Sequence, residues 1–583
     1  MRVSLEIPSR RIRAGGAPAI LALLALCLIG SGAFAQQVPG ALVIPPGGTP
    51  IPQLAPGMPR QVGPGLVAPP PVTPTGVGAA GNVPIRDVTF VGATAFNRDQ
   101  LAAATGSLTG PAVPVSSVEE ARAAIVSLYR ERGYAFVTAD ATVGADGMLR
   151  FQIAEGFVSE VRLDGDIGPA GTQVLRFLNR LVNVQPLDVA TLERQLLLAQ
   201  DIPGLTVRTV LRPAGTAPGA LSLVAQVSRQ AITGYVTADN RGARFSGPQQ
   251  GLAAVQFNSL TSLGERTELA LFYASGSTQL FGQANWQAFI GGSGLQVRIY
   301  AGYGQTQPSG VLRNLGYEGL STVAGASLSY PVIRRRSQTL NVVGSFDIID
   351  TEIRLDDTAG QSRRLSYDAL RMLRIGGDWT VYDLLFGDNR PGTNFLTLRL
   401  SQGLSGAGSQ TSRTGSRGEF TKVNAEATRI QALFAPWAGA LVSLQGTVAG
   451  QWTNDVLPLA EKFYLGGNRL GRGFYAGEVT GDRAIAVSAE LQLSTFHELS
   501  PFGVSLRLAP TYYAFYDEGW TFENQAVDPD RRLSSVGIGV RTQINGRFEA
   551  QVEGVRRLTR QPSGASVPAQ HEDALFWRVL ARF

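Results

Sequence analysis

The chain closes on Leu575-Phe576-Trp577-Arg578-Val579-Leu580-Ala581-Arg582-Phe583, in which Leu575, Trp577, Val579, Ala581 and Phe583 fall on one face. Side chains alternate across a strand, so this segment reads as a strand with one apolar side and an aromatic last residue. The same two-residue period recurs upstream. Phe548, Ala550 and Val552 oppose Glu549, Gln551 and Glu553, and Ile485, Val487, Ala489, Leu491 and Leu493 oppose Ser488, Glu490 and Gln492. Val442, Leu444, Gly446, Val448 and Gly450 oppose Ser443, Gln445, Thr447 and Gln451. From about Ala231 onward this alternation replaces helical periodicity.

Period alone leaves two architectures open. In a soluble sandwich the polar face looks at bulk water; in a membrane barrel it lines a lumen while the apolar face meets lipid. Roughly 350 residues of alternation exceed one sandwich and suit a barrel of about 16 strands at roughly ten residues each plus turns. Trp286, Phe289, Tyr300, Tyr303, Trp452, Phe496, Tyr512, Tyr513 and Trp577 fall near expected strand ends, as interface girdles would. The fold expected is α+β domains followed by an all-β transmembrane barrel of antiparallel strands over residues 230–583.

Composition agrees. Only 16% of the 583 residues are charged, 69 are glycine, and mean hydropathy is +0.05. Soluble enzymes carry more charge and helical membrane proteins are more apolar. Half of the net charge of +6 belongs to residues 1–35, where Arg2, Arg10, Arg11 and Arg13 face only Glu6. No Lys/Arg-rich run follows, so nucleic acid is not an expected partner. A basic start, the apolar run Ile20–Ile29 and Ala33-Phe34-Ala35 before Gln36 mark residues 1–35 as a signal peptide. Cys27, the only cysteine, lies within it, which leaves no disulfide or thiolate chemistry for the mature chain.

Residues 36–84 hold 13 of the 33 prolines and read as an extended linker. Beyond them, Val88–Val91 is a strand, and Ser116 with Glu119 is the expected capping box of a helix that stops at Gly133. Strands Ala135–Val143 and Leu149–Ile153 follow. The order then repeats: strand Val158–Leu163, helix Gly171–Leu181, a helix capped by Asp188, and strands Thr206–Leu211 and Leu221–Val227. Two α+β units result, over residues 85–156 and 157–229. Within the barrel segment, Phe463-Tyr464-Leu465-Gly466-Gly467-Asn468-Arg469-Leu470-Gly471-Arg472-Gly473-Phe474 is too glycine-rich for a strand and too basic for a lipid-facing loop. Phe515-Tyr516-Asp517-Glu518-Gly519 puts an acidic pair in an aromatic strand, and an arginine and a carboxylate so spaced can meet inside a closed barrel.

These motifs resemble a known family. Tyr129-Arg130-Glu131-Arg132-Gly133-Tyr134, Gly147-Met148-Leu149 and Ala154-Glu155-Gly156 resemble the polypeptide-transport-associated (POTRA) domain, ShlB type, of two-partner secretion transporters, the haemolysin and filamentous-haemagglutinin secretion-activation family. Gly471-Arg472-Gly473-Phe474 resembles the (V/I)RG(F/Y) tetrad at the tip of that superfamily's inward-folded loop. Phe515, Asp517 and Gly519 match its F-x-D-x-G strand motif, and the resemblance implies that Asp517 holds Arg472. Gly471 replaces the usual branched aliphatic and is expected to loosen the loop tip. Members often carry a plug helix before the linker, and residues 36–84 are too proline-rich for one.

The resemblance implies an outer-membrane transporter with periplasmic POTRA domains, no cofactor and no catalysis. Its partner would be a secreted exoprotein client, unfolded in the periplasm. A sheet edge such as Val158, Val161 and Leu163 is the candidate capture strand. Trp577, Val579 and Phe583 resemble the signal read by the barrel assembly machinery, and a monomer in outer-membrane lipid is expected. An insertase of the same superfamily is the alternative, although those usually carry three or more POTRA units and only two fit here. A diffusion porin is another, and would need no such units. Enzyme readings lack support: His497 and His571, the only histidines, have no second ligand at helical spacing, and the loop glycines do not open a helix after a strand.

Overall fold

A computed structural model of the chain describes residues 81–583 apart from 166–167, 216, 245–246, 310, 315, 357–359, 501–504 and 565–567. The signal-like residues 1–35 and the proline-rich stretch as far as residue 80 lie outside the described residues. The end of that stretch is not linker. Asn82–Ile85 forms strand β1, in which Pro84 sits at a register shift and so forfeits no regular ladder bond.

The first unit continues with β2 (Asp87–Val91), α1 (Arg98–Thr105), β3 (Gly110–Pro114), α2 (Val115–Glu131), β4 (Val137–Val143) and β5 (Met148–Glu155). β1 pairs with β3, while β5 lies between parallel β2 and antiparallel β4. Two local expectations are corrected. The capping box belongs to α1, where Asn97 and Gln100 exchange bonds with each other's backbone. α2 begins after Pro114 with no side-chain cap, and Glu119 binds Arg122 one turn on, at 2.8 Å. Gly133 still ends the helix, with φ +90°.

Ile125, Tyr129, Leu149 and Phe151 make the dry centre of this unit. Glu155 is buried beside them and accepts from the Thr94 and Ala95 amides, the Thr94 hydroxyl and Tyr129 Oη, the last at 2.6 Å. Burial alone would raise the Glu155 pKa, but these donors outweigh it and hold the carboxyl below its usual range. Burial, and then the bond to Glu155, push the Tyr129 phenol up.

The second unit repeats the order with β6 (Phe157–Asp164), α3 (Gly171–Leu178), α4 (Val189–Gln200), β7 (Leu205–Pro213) and β8 (Ala220–Arg229). β8 lies between parallel β6 and antiparallel β7. Asp188 caps α4 by accepting from the Thr191 amide at 2.8 Å.

Sixteen antiparallel strands then close a barrel, from Ile232–Asp239 to Asp573–Arg582, which pair with each other. His497–Leu499 continues Arg483–Thr495 along the same neighbour. Leu444, Val448, Ile485, Leu491, Val552 and Leu575 stand exposed outside; Ser443, Gln451, Glu490, Gln492 and Glu553 are buried inside. Tyr303, Trp452, Phe496, Tyr512 and Trp577 are outward and exposed. Three residues assigned to the girdles are not. Tyr300 and Tyr513 point inward to Asp347 and Glu553, because their polar tips find carboxylates there. Phe289 packs edge-on against Phe177, ring centroids 5.1 Å apart. Among the described residues no helix is long and apolar enough to cross a membrane; the strands cross it.

The second unit sits on the barrel's near-end turns. Arg334 forks onto Asp201 at 2.7 and 2.8 Å, Arg194 donates to the Pro331 carbonyl at 2.7 Å, and Gln173 to Gly291 at 2.8 Å. These contacts place the second α+β unit at one end of the barrel, and the 454–482 and 404–420 connections lie at the other.

Candidate functional site

The strand Ala440–Thr453 and the strand Arg483–Thr495 pair directly, so the 454–482 connection has no place in the wall. It enters the lumen instead. A short hairpin, Phe463–Leu465 against Val479–Gly481, carries the glycine-rich tip between its arms. Positive φ at Gly466 (+100°), Gly467 (+108°) and Gly471 (+76°) turns the backbone tightly enough to fold inside. Leu465, Phe474 and Val479 of the loop pack on Ala449, Ala486 and Leu533 of the wall.

Arg472 is the most densely bonded residue of the tip. Its amide and Nε both donate to Asp517 Oδ2, at 2.8 and 3.0 Å, and Nη2 donates to Asp517 Oδ1 at 2.9 Å. Nη1 pairs with Glu490, and Nη2 also reaches Ser488 Oγ at 3.0 Å. The guanidinium carbon lies 3.8 Å from the centroid of the Phe515 ring. Phe515 therefore supplies a π face beneath the cation that Asp517 neutralises. Asp517 has no solvent exposure, so losing Arg472 strands a buried anion at a cost of about 3–5 kcal/mol.

The neighbouring glycines permit the contact. A side chain on Gly473 would collide with Ser535, whose Oγ accepts from the Gly473 amide at 3.2 Å, and one on Gly519 would strike Leu465. The expected loosening at Gly471 is not what the packing shows. Its left-handed φ disfavours a branched residue, and an added Cβ would lie 2.8 Å from Leu533. Phe474 is fully buried and lies beside Arg557, whose Nε donates to the Gly473 carbonyl at 2.6 Å.

Sequence reading missed several partners. Glu490 and Ser488 were legible as lumen-facing by alternation, but nothing local marked them as ligands of Arg472. Arg241, just past the first barrel strand, pairs with Glu553, donates to Asn468 Oδ1 at 3.0 Å and accepts through its carbonyl from the Ala476 amide. At the loop's entrance, buried Glu461 meets Arg374 at 2.7 Å and Lys422 at 2.8 Å. The loop is thus pinned at tip, flank and base.

The remaining sequence candidates lie elsewhere. Trp577 and Val579 face outward on the last strand, and the Phe583 backbone bonds Gly234 in both directions. β6 is an edge strand of its sheet, but Val158 is fully buried, and Val161 and Leu163 pack on the unit's core. Val158 also bridges Val182, so the backbone edge of β6 is unpaired only past it.

A barrel with an α+β unit docked on one rim, another preceding it in the chain, and an arginine-tipped loop inside has known relatives. The model of the "Haemolysin secretion/activation protein ShlB/FhaC/HecB" family matches residues 220–542, more than half of the chain. The chain belongs to this family. The ShlB-type POTRA domain model matches residues 83–156. The heme/hemopexin transporter protein HuxB of Haemophilus influenzae strain 86-028NP is 23% identical over 502 residues, spanning 83% of this chain and 84% of that protein. Among solved structures, CdiB from Escherichia coli superimposes with a TM-score of 0.69 at 18% identity, covering 88% of this chain and 93% of its own. CdiB from Acinetobacter baumannii gives 0.62 at 15% identity, covering 98% and 100%. The chain is a two-partner secretion transporter that moves a secreted exoprotein across the outer membrane, with its POTRA region in the periplasm.

Proposed function

We propose that the 454–482 loop is the gate of this transporter and that Arg472, held by Asp517, Glu490 and Phe515, sets its resting position. The observation that carries the reading is the buried fork of Arg472 on Asp517 inside a closed barrel. Residues 157–229 act as a second POTRA domain, given the strand and helix order they share with residues 85–156. The two domains take up an unfolded client by adding it as a strand, along β6 past Val158 or an equivalent edge. The client then threads the lumen as the loop shifts, and folding outside supplies the drive. No step is catalytic and no cofactor takes part. The last strand, through Trp577, Val579 and Phe583, is the segment the barrel assembly machinery reads, and the working unit is a monomer in outer-membrane lipid.

Single-channel conductance of the refolded chain in planar bilayers tests the gate, wild type against Arg472→Ala. Intermittent opening in the wild type and altered conductance or gating in the variant support it. Equal, large, steady currents from both would count for an open porin instead.

A further inference from the structure

The outward end of the barrel carries a second closure that the Arg472 motif does not explain. Residues 404–420 connect the strands Gly392–Gly403 and Thr421–Phe434 at the end opposite the POTRA region. This connection folds back over the mouth. Gln410 exchanges both backbone hydrogen bonds with Ala369 of the wall, at 2.8 and 2.9 Å, and the Ser412 amide donates to Asp368. Phe420 is buried with Leu457 of the inward loop against Leu370 and Met372. At the centre sits Arg413, itself almost fully buried. It donates to the Leu457 carbonyl at 2.7 Å, Asp482 at 2.7 Å, Glu523 at 2.8 Å and Asp528 at 2.9 Å.

One guanidinium thus ties three separate connections together. Leu457 and Asp482 are the two ends of the inward loop, Glu523 and Asp528 belong to the neighbouring outer turn, and Arg413 belongs to the cap. Asp482 holds the assembly further by accepting from the Leu457 and Asn524 amides, each at 2.9 Å. Lys462 reaches Glu523 at 2.5 Å. Three carboxylates therefore share two cations. Without Arg413 they face one another with Lys462 alone between them, and repulsion then favours separation of the loops.

We propose that residues 404–420 form an outer cap keyed by Arg413, and that it must lift before the inward loop leaves the lumen. Arg413 is a positioning residue for export: it holds the two ends of the inward loop and the outer turn in one closed arrangement, independently of the Arg472–Asp517 fork. The inference rests on the reading that the client leaves through this lumen.

Conductance of the full chain in planar bilayers under potassium chloride tests it, with heat-modifiable gel mobility confirming that each barrel is folded. Arg413→Ala should raise the fraction of time spent open several-fold. The only cysteine, Cys27, lies in the signal-like segment, so Ala369→Cys with Gln410→Cys introduces a unique pair. Hydrogen-bonded antiparallel partners stand about 5.5 Å apart at Cα, within disulfide reach. Oxidation should suppress opening and dithiothreitol should restore it in the same membrane. If the oxidised channel opens as often as the reduced one, or Arg413→Ala matches wild type, the cap is not a gate. Should Arg472→Ala still alter the current in that case, the inward-loop reading survives and only the cap fails.

Discussion

In the second POTRA-like unit Val174, Phe177, Leu178, Leu192 and Leu223 are fully buried among apolar neighbours. The barrel lumen, by contrast, is filled by buried Arg472, Asp517, Glu490, Glu461 and Lys422 and half-buried Arg374, each of them paired. Apolar burial is non-directional and is lost as soon as water enters, so the unit keeps one packing. Ion pairs can exchange partners for water or for a passing polar backbone at a smaller net change, because desolvation had already offset much of their attraction. The apolar, rigid packing thus belongs to the unit docked on the barrel's rim, and the exchangeable pairs fill the lumen.

The sharpest way to break this contrast begins with the apolar side. Phe177→Ala removes a core ring that also meets Phe289 of the barrel edge-on, and is expected to cost about 3–5 kcal/mol. Pulse proteolysis in urea should show residues 157–229 cleaved at lower denaturant, with the barrel still heat-modifiable. On the polar side, Arg472→Ala should weaken loop docking by about 3–5 kcal/mol, read as new protease sensitivity within 454–482. The double replacement Arg472→Met with Asp517→Leu should cost clearly less than Arg472→Ala. If the double variant is the more sensitive, the lumen pair is a net stabiliser and the contrast drawn above is wrong.

Glu155 is the exception that sharpens it, a carboxylate inside an apolar core. Glu155→Gln should destabilise the first unit by about 1–3 kcal/mol, since a neutral amide cannot accept from all four donors. Its pH dependence has a definite sign. The folded pKa is depressed, so the contribution is complete above the unfolded glutamate value near pH ~4.3 and fades as pH falls below it. Tyr129 is raised, so its contribution holds below the ordinary phenol value near pH ~10 and is lost above it. Urea midpoints from pH 3 to 7 should fall at the acid end in wild type and flatten in Glu155→Gln. The smallest effect is expected at the exposed Arg98–Asp87 contact, 3.4 Å apart, where Arg98→Ala should leave the midpoint unchanged.

Much of this architecture follows from local patterning. A period of two over Ile485–Leu493, Phe548–Glu553 and Leu575–Phe583 assigns inside and outside without knowledge of any neighbour, since each residue's face is set by its own backbone. Where locality failed, the cause is equally plain. The capping box at Ser116 and Glu119 matched a pattern that Asn97 and Gln100 fulfil better, and Glu119 found a cation first. Tyr300, Tyr513 and Phe289 carry the composition of a membrane girdle, yet a nearby carboxylate or a docked domain drew them elsewhere.

What the residues alone determined is the strand count to a good approximation and the succession of units, and the resemblance of two stretches to a known family added the motif residues Arg472, Asp517, Phe515, Gly473 and Gly519. What only the tertiary structure decided is the company those residues keep. Glu490 beside Arg472, Arg241 against Glu553, Glu461 between Arg374 and Lys422, and Arg413 among Asp482, Glu523 and Asp528 join positions from 18 to 312 residues apart. Closure of the barrel fixes the relative register of all its strands, and that register, a property of no single stretch, chooses which lumen charges face one another.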